Sequence, residues 1–567
     1  MSAIAITLLA LDLPVPQGDT VSAFWSSFER NDGHYAAFLI SFFVIAGWWS
    51  NHHDVFRYTD RTDARLRSLN MAWLLTIVLI PFATRMLTET GSPTLDVHAV
   101  RFGFYALLQV PSGRSRRRWA RPALDSAGWR MCPPVMPPTM GPERRAPRSP
   151  PCRKGCVGMT SGWSAPDGFF SNPDFDYEAR IVLGAAAGGI GDIGLVLATL
   201  DRIADGDPQS WFDAWTALAA DLAERGDDAL RRGHRHTASW ASLAAAEYYA
   251  KALMFADGLA DPSVLLPTFR KGRDCWEKVI DASAGRFVRV DVPYEGTTLP
   301  GYLLRPDATG AVRPTLVVTN GSDGSLPGLL GYGGNEALAR GWNVFVFDGP
   351  GQQSMLFERG VPFRYDWEAV LTPVIDYLVT RPDVDASALT GYAISQGGYW
   401  ITRAVAFERR LVAAVADPGV VDVSAGWTAH LPEALLTLLD SGQKDAFNAA
   451  MTQAAAGASS EAARMLAFRG KPYGRTDPFD LFTELRKYQV RDVAGQITTP
   501  LLILNPDNEQ FFPGQPRELY DLLPGEKEII GFSQEQGANF HCQPTGRQLT
   551  HTRMLDWLAD HLPPRPA

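Results

Sequence analysis

The stretch "GYAISQGGYW", Gly391 to Trp400, sets one serine, Ser395, among small residues just after the strand-like run "ASALT". A serine hydroxyl is a poor nucleophile at neutral pH and needs a base to take its proton and a third group to orient that base. Such a serine is presented by a sharp strand-to-helix turn that requires small neighbours. Gly397 and Gly398 follow it, and Ala393 stands where the pattern GxSxG has its first glycine. In the chain order nucleophile, acid, histidine, the candidate base is His541 in "GANFHCQP", after the apolar run "KEIIGF". The acid must accept the imidazole N–H. Glu509 in "LLILNPDNEQFFPG" is the first choice, with Asp507 in the same segment and Asp417 after the preceding strand left open.

A tetrahedral oxyanion needs two preorganised N–H donors. The backbone of Gln396, next after the serine, supplies one, and Gly321 or Ser322 in "TNGSDGS" supplies the other. Asp323 and Tyr399 are candidates for substrate contact, although Asp323 equally reads as a turn aspartate that prepares Gly324.

These groups need a scaffold. Runs such as "TLVVTN", "NVFVFDG" and "PLLILN" are nearly continuously apolar and are separated by helix-length segments, as in a parallel sheet covered on both faces. The fold class is therefore α/β, with the catalytic part over 285–567 and a helical insertion over about 424–490. Ahead of it, 176–284 has Trp, Leu and Ala at three- and four-residue intervals, the period of packed amphipathic helices; it reads as a helical lid. Within it "GGIGDIG" matches GxGxxG, but no strand precedes it, so a glycine-bearing turn between helices is expected.

The first 110 residues differ. Apolar runs over about 2–15, 34–50, 68–87 and 97–110 approach the length of membrane-spanning helices. The Arg-rich loop "NHHDVFRYTDRTDARLR" is placed in the cytoplasm by the positive-inside rule, and the catalytic part is expected on that side too. The next segment, 111–170, is rich in Arg and Pro: residues 111–156 hold ten of each against two acidic residues. It reads as a disordered basic linker or as a join between two unrelated pieces. Anionic lipid headgroups suit its charge. A net charge of -9 argues against nucleic acid as a partner. Five scattered cysteines suit neither a disulfide scaffold nor a zinc site. No metal and no cofactor is expected.

Two resemblances add to this. Through "TNGSDG", "FDGPGQQS", "GYAISQGG", "NEQFFPGQ" and "HCQP", residues from about 176 to 567 resemble the α/β-hydrolase group of 2,6-dihydroxypseudooxynicotine hydrolase and polyketide-shortening hydrolases. That likeness implies the α/β-hydrolase fold under a helical lid, and a serine hydrolase cleaving a small carbonyl compound at an ester or at a C–C bond next to a ketone. It carries over Ser395, His541 and an acid at 507 or 509; in related hydrolases the acid lies four residues before a proline, as Glu509 does before Pro513. Residues 1 to about 110, through "AIAITLLALDLPVP" and "FLISFFVIAGWWSNHHDVFRYTDRTDARLRSLNMAWLLTIVLIPF", resemble the bacterial transmembrane protein 175 potassium channels. This implies a multi-pass membrane segment, potassium as a possible ligand, a pore lined by Ile4, Leu8 and Leu11, and a homo-oligomer. The Phe-Ser-Asp signature that precedes the first run in that family is absent.

Overall fold

The computed structural model describes residues 20–29, the single positions 35, 79, 97 and 101, and residues 168–429, 431–457 and 469–564. The chain divides into two compact units, residues 1–156 and 157–567. In the first unit, α1 (Val21–Glu29) is capped by Thr20, whose Oγ1 accepts the Ala23 N–H at 3.2 Å. Apart from the single positions 35, 79, 97 and 101, the expected membrane runs lie outside the described residues, as do the pore positions Ile4, Leu8 and Leu11 and nearly all of the linker. Among the described residues, no helix is long and apolar enough to cross a membrane.

The second unit opens with helices: α2 (Pro173–Ala187), α3 (Ile193–Leu200), α4 (Pro208–Arg231), α5 (Arg235–Ala252) and α6 (Leu265–Ala282). Their starts follow from local chemistry. Asn172 and Asp207 accept N–H groups of the first turns of α2 and α4, each with proline just inside the helix, where its missing N–H costs nothing. The glycines of "GGIGDIG" form the expected turn between α2 and α3. Gly189 and Gly191 have φ of 88° and 132°, and a Cβ on Gly191 would lie 2.2 Å from the Tyr248 hydroxyl.

Eight strands follow: β1 (Phe287–Tyr294), β2 (Thr297–Leu304), β3 (Arg313–Thr319), β4 (Asn343–Phe347), β5 (Val384–Ile394), β6 (Ala413–Asp417), β7 (Leu501–Pro506) and β8 (Lys527–Phe532). They form one sheet in the order β1-β2-β4-β3-β5-β6-β7-β8. The first two neighbour pairs in that order are antiparallel and the others parallel. The central strands are buried on both sides, which explains why their sequences do not alternate. Period two reappears in where the side chains go. Leu316, Val318, Val344, Val346, Leu502 and Leu504 join one apolar cluster; Val317, Phe345, Phe347, Leu501 and Ile503 join the other.

The helices packed on the sheet include α7 (Glu368–Leu378) and α8 (Gly397–Ala404), while α9 (Glu433–Asp440), α10 (Lys444–Gly457) and α11 (Pro478–Leu485) share a separate apolar cluster of Leu435, Leu439, Phe447 and Phe482, and α12 (Gln515–Leu522) and α13 (Arg547–Asp560) return to the sheet. The first apolar cluster continues without a break into the leading helices through Trp211, Trp215, Tyr248 and Trp276. Each fully buried Leu, Val or Phe here contributes about 1.5–3 kcal/mol, so the helical cover is held by the same apolar burial as the sheet. Polar ties add direction: the Lys251 ammonium on α5 pairs with Glu178 on α2 at 3.0 Å, and Arg273 on α6 pairs with buried Asp348 after β4.

Candidate active site

β5 ends at Ile394 and α8 begins at Gly397, so Ser395 occupies the turn between them. Its φ is 57°, in the left-handed region that L-residues rarely adopt. Its N–H donates to the Asp417 carbonyl at 2.6 Å, at the end of neighbouring β6. The small residues around it are required by space. A Cβ on Gly398 would sit 1.9 Å from the Pro418 carbonyl oxygen, and one on Gly397 would meet the Asn320 oxygen at 2.9 Å. Ala393 is tolerated in place of glycine because Gly397, which faces it, has no side chain.

The loops after β7 and β8 converge on this serine. The Ser395 Oγ lies 2.9 Å from His541 Nε2, and His541 Nδ1 lies 2.8 and 2.9 Å from the two carboxylate oxygens of Glu509. A carboxylate facing Nδ1 assigns the ring proton there, leaving Nε2 as the acceptor for the serine hydroxyl. Glu509 is buried and also accepts the N–H groups of Phe511 and Phe512 at 3.0 and 3.1 Å. Burial alone would raise its pKa, but the charge and N–H of His541 and these backbone donors outweigh it and hold the carboxyl below its ordinary value. The imidazole is 2 % exposed, flanked by Phe511 and Phe512, and the Tyr177 hydroxyl of α2 donates to the His541 carbonyl at 2.9 Å.

The other carboxylates named from sequence stand apart. Asp507 is exposed; its N–H continues the ladder to Phe532, and its carboxylate takes no bond from His541. Asp417 is fully buried and accepts the Tyr392 hydroxyl at 3.0 Å and the Gln543 amide at 2.9 Å. Burial pushes its pKa up to about 6 against those two hydrogen bonds. His551, the next histidine along the chain, is packed into α13, where burial and the nearby Arg547 charge lower its pKa to about 3.

Gly321 lies against the serine, where a Cβ would come 2.7 Å from the Ser395 Cβ. Its N–H is taken by the Asn320 side chain at 2.9 Å, whereas the Ser322 and Gln396 N–H groups have no acceptor among the described residues. Asp323 is exposed and accepts the Ser322 hydroxyl at 3.0 Å. Tyr399, expected at the substrate, is corrected by the structure. It is fully buried, packs on Tyr488, and donates its hydroxyl to the Tyr365 carbonyl at 2.8 Å, because the first turn of α8 directs it into the core.

Sequence reasoning gave no role to Asn320 and Gln352. Asn320 Nδ2 donates to the Ser325 carbonyl at 3.0 Å, and Gln352 Nε2 donates to the Asn320 and Gly321 carbonyls at 2.9 and 3.1 Å. They bolt the loop after β3 to the loop after β4. The available signal was the pair of polar motifs "TNGSDG" and "FDGPGQQS", each ending a buried strand. A small cavity of about 30 Å³ lies beside this loop, lined by Ala246, Ala250, Phe269, Trp276, Ser325 and Gln353. Neither Ser395 nor His541 lines it, so the serine defines a separate place.

The chain is similar to several known hydrolases. The hydrolase LUC6 of Fusarium sp is 29% identical over 406 residues, covering 69% of this chain and 96% of that protein. The hydrolase acrC of Aspergillus aculeatus is 27% identical over 415 residues, covering 69% and 97%. The α/β hydrolase xenA of Xenoacremonium sinensis is 30% identical over 279 residues, covering 47% and 65%. Among solved structures, the 2,6-dihydroxy-pseudo-oxynicotine hydrolase matches with a TM-score of 0.54 at 19% identity, covering 67% of this chain and 95% of that one. The family model described as "Endosomal/lysosomal potassium channel TMEM175" matches residues 1–81. Both expected resemblances are therefore found. The mixed eight-stranded sheet has the α/β-hydrolase fold, and with relatives that are named hydrolases the chain is an enzyme of the α/β-hydrolase type.

Proposed function

We propose that the chain hydrolyses a carbonyl-containing small molecule by acyl transfer through Ser395, with His541 as general base and Glu509 orienting the imidazole. The observation that carries this reading is the unbroken contact chain from the Ser395 Oγ through His541 to Glu509, at 2.9 and 2.8 Å, starting from a serine held at φ 57°. The hydroxyl proton passes to Nε2 as Oγ bonds to the carbonyl carbon, and the oxyanion takes the Gln396 N–H and that of Ser322. The bond to the leaving group then breaks and His541 returns the proton to it; water, deprotonated by the same imidazole, releases the acid and restores the serine. The bond cleaved is an ester or a C–C bond next to a ketone. Incubation of the full chain with a fluorophosphonate probe and aryl esters tests the reading. Ser395→Ala is expected to abolish labelling and to lower kcat by about 10⁴-fold or more, and labelling that persists in the variant would overturn it.

A second reading concerns residues 1–81 and rests on the channel family model: a membrane-embedded, potassium-permeable segment carrying the hydrolase, probed by potassium flux in liposomes holding the full chain. Flux no greater than in protein-free liposomes would end it.

A further inference from the structure

The residue after the nucleophile has a side chain that the acyl-transfer scheme leaves idle. Gln396 is 5 % exposed, and its Oε1 accepts the Tyr473 hydroxyl at 2.8 Å. Its Nε2 is buried with no hydrogen-bond partner among the described residues. Exchanging the amide's oxygen and nitrogen would orphan both Gln396 Oε1 and the Tyr473 O–H, so the orientation with one unpaired group stands. Tyr473 cannot swing away, because it is wedged among Phe363, Trp427 and Tyr488 with ring centroids 5.2, 5.9 and 5.2 Å away. The free amide N–H is thereby aimed in one direction. A buried, unpaired N–H costs about 1–3 kcal/mol, and its retention asks for a partner that arrives later.

Its surroundings say which part of a substrate that partner belongs to. The leaving group must depart toward His541 Nε2, from which it takes its proton. Gln396 is also the residue whose backbone N–H serves the oxyanion, and the Tyr473 ring that holds its side chain packs on Phe363, which lies against Gly351, next to the Gln352 that ties down the Gly321 loop. The amide thus belongs to the oxyanion side, where the acyl portion sits.

We propose that Gln396 Nε2, held by Tyr473, is a specificity-determining donor that recognises a second acceptor oxygen on the acyl side of the scissile carbonyl. This rests on the Ser395 reading above and narrows its substrate class to oxygenated acyl compounds, such as esters of β-keto acids, over plain acyl chains. The full chain is assayed with para-nitrophenyl acetoacetate and para-nitrophenyl butyrate, which differ in the ketone oxygen. The quantity read is the ratio of their kcat/KM values in each variant relative to wild type, which cancels any difference in intrinsic reactivity. Gln396→Leu is expected to lower the ratio about tenfold, the worth of one hydrogen bond, chiefly through KM. Tyr473→Phe, which removes only the hydroxyl that aims the amide, is expected to shift it the same way by about threefold, and it keeps the test open if Gln396→Leu does not fold. Ratios within about twofold of wild type in the folded variants would overturn the proposal. Ser395→Ala separates the two levels: turnover of both esters surviving that change refutes the nucleophile itself, while its loss with an unmoved ratio refutes only the role of Gln396.

Discussion

Two buried carboxylates face the same small region from neighbouring strands, and they are treated oppositely. Glu509, in the loop after β7, meets an imidazole N–H and two backbone N–H groups, and its charged form is favoured in spite of burial. Asp417, at the end of β6, meets only a phenol and an amide, and burial raises its pKa to about 6. The difference teaches that burial alone does not choose the acid of such a site. What chooses it is the number and charge of the donors that the loop turns toward the carboxylate.

The sharpest way to break this contrast is to neutralise each carboxylate in turn. Glu509→Gln is expected to lower kcat about 10⁴-fold by permitting the wrong imidazole tautomer, read by steady-state ester hydrolysis; a loss below about tenfold would transfer the role elsewhere. Asp417→Asn acts instead on stability and its pH dependence. A carboxyl whose folded pKa is raised contributes stability that is fully present below its unfolded pKa of about 3.9 and is lost as pH rises through about 6. The variant should therefore be stabilised relative to wild type above pH 6 by up to about 3 kcal/mol, with denaturant midpoints between about pH 4 and 7 as the readout. Glu509 has the opposite sign: its contribution is present above its unfolded pKa and is lost as pH falls through the lower folded one. The smallest effect is expected from Asp507→Asn, within about twofold of wild-type activity in the same ester assay, since that exposed carboxylate does not reach His541.

The sheet and the nucleophile were legible because their signals are local. Buried parallel strands read as unbroken apolar runs, and the turn around Ser395 needs glycine where a Cβ would strike Pro418 or Asn320. The order of serine, acid and histidine along the chain could be read as well. Between Asp507 and Glu509 the sequence supported only a preference for Glu509, because which of them turns inward depends on β8: the Asp507 N–H pairs with Phe532 and the Asn508 N–H with Asn539, after which the chain turns Glu509 inward. Tyr399 was misplaced for a related reason. Four residues past the serine, its side chain follows the face of α8 that packs on Tyr488, and a helix in isolation does not declare which face is the core.

From the sequence alone came the fold class, the strands, the helical cover and the candidacy of Ser395 and His541, because strand period, helix period and the steric demands of a tight turn act between residues close along the chain. Tertiary structure set Glu509, the carboxylate already preferred from sequence, against His541, and it alone assigned the Gly321 N–H to Asn320, sank Tyr399 into the core and left the Gln396 amide without a partner among the described residues. Each of these depends on a hydrogen bond or a packing contact set by the three-dimensional course of the chain, and no period or composition encodes it.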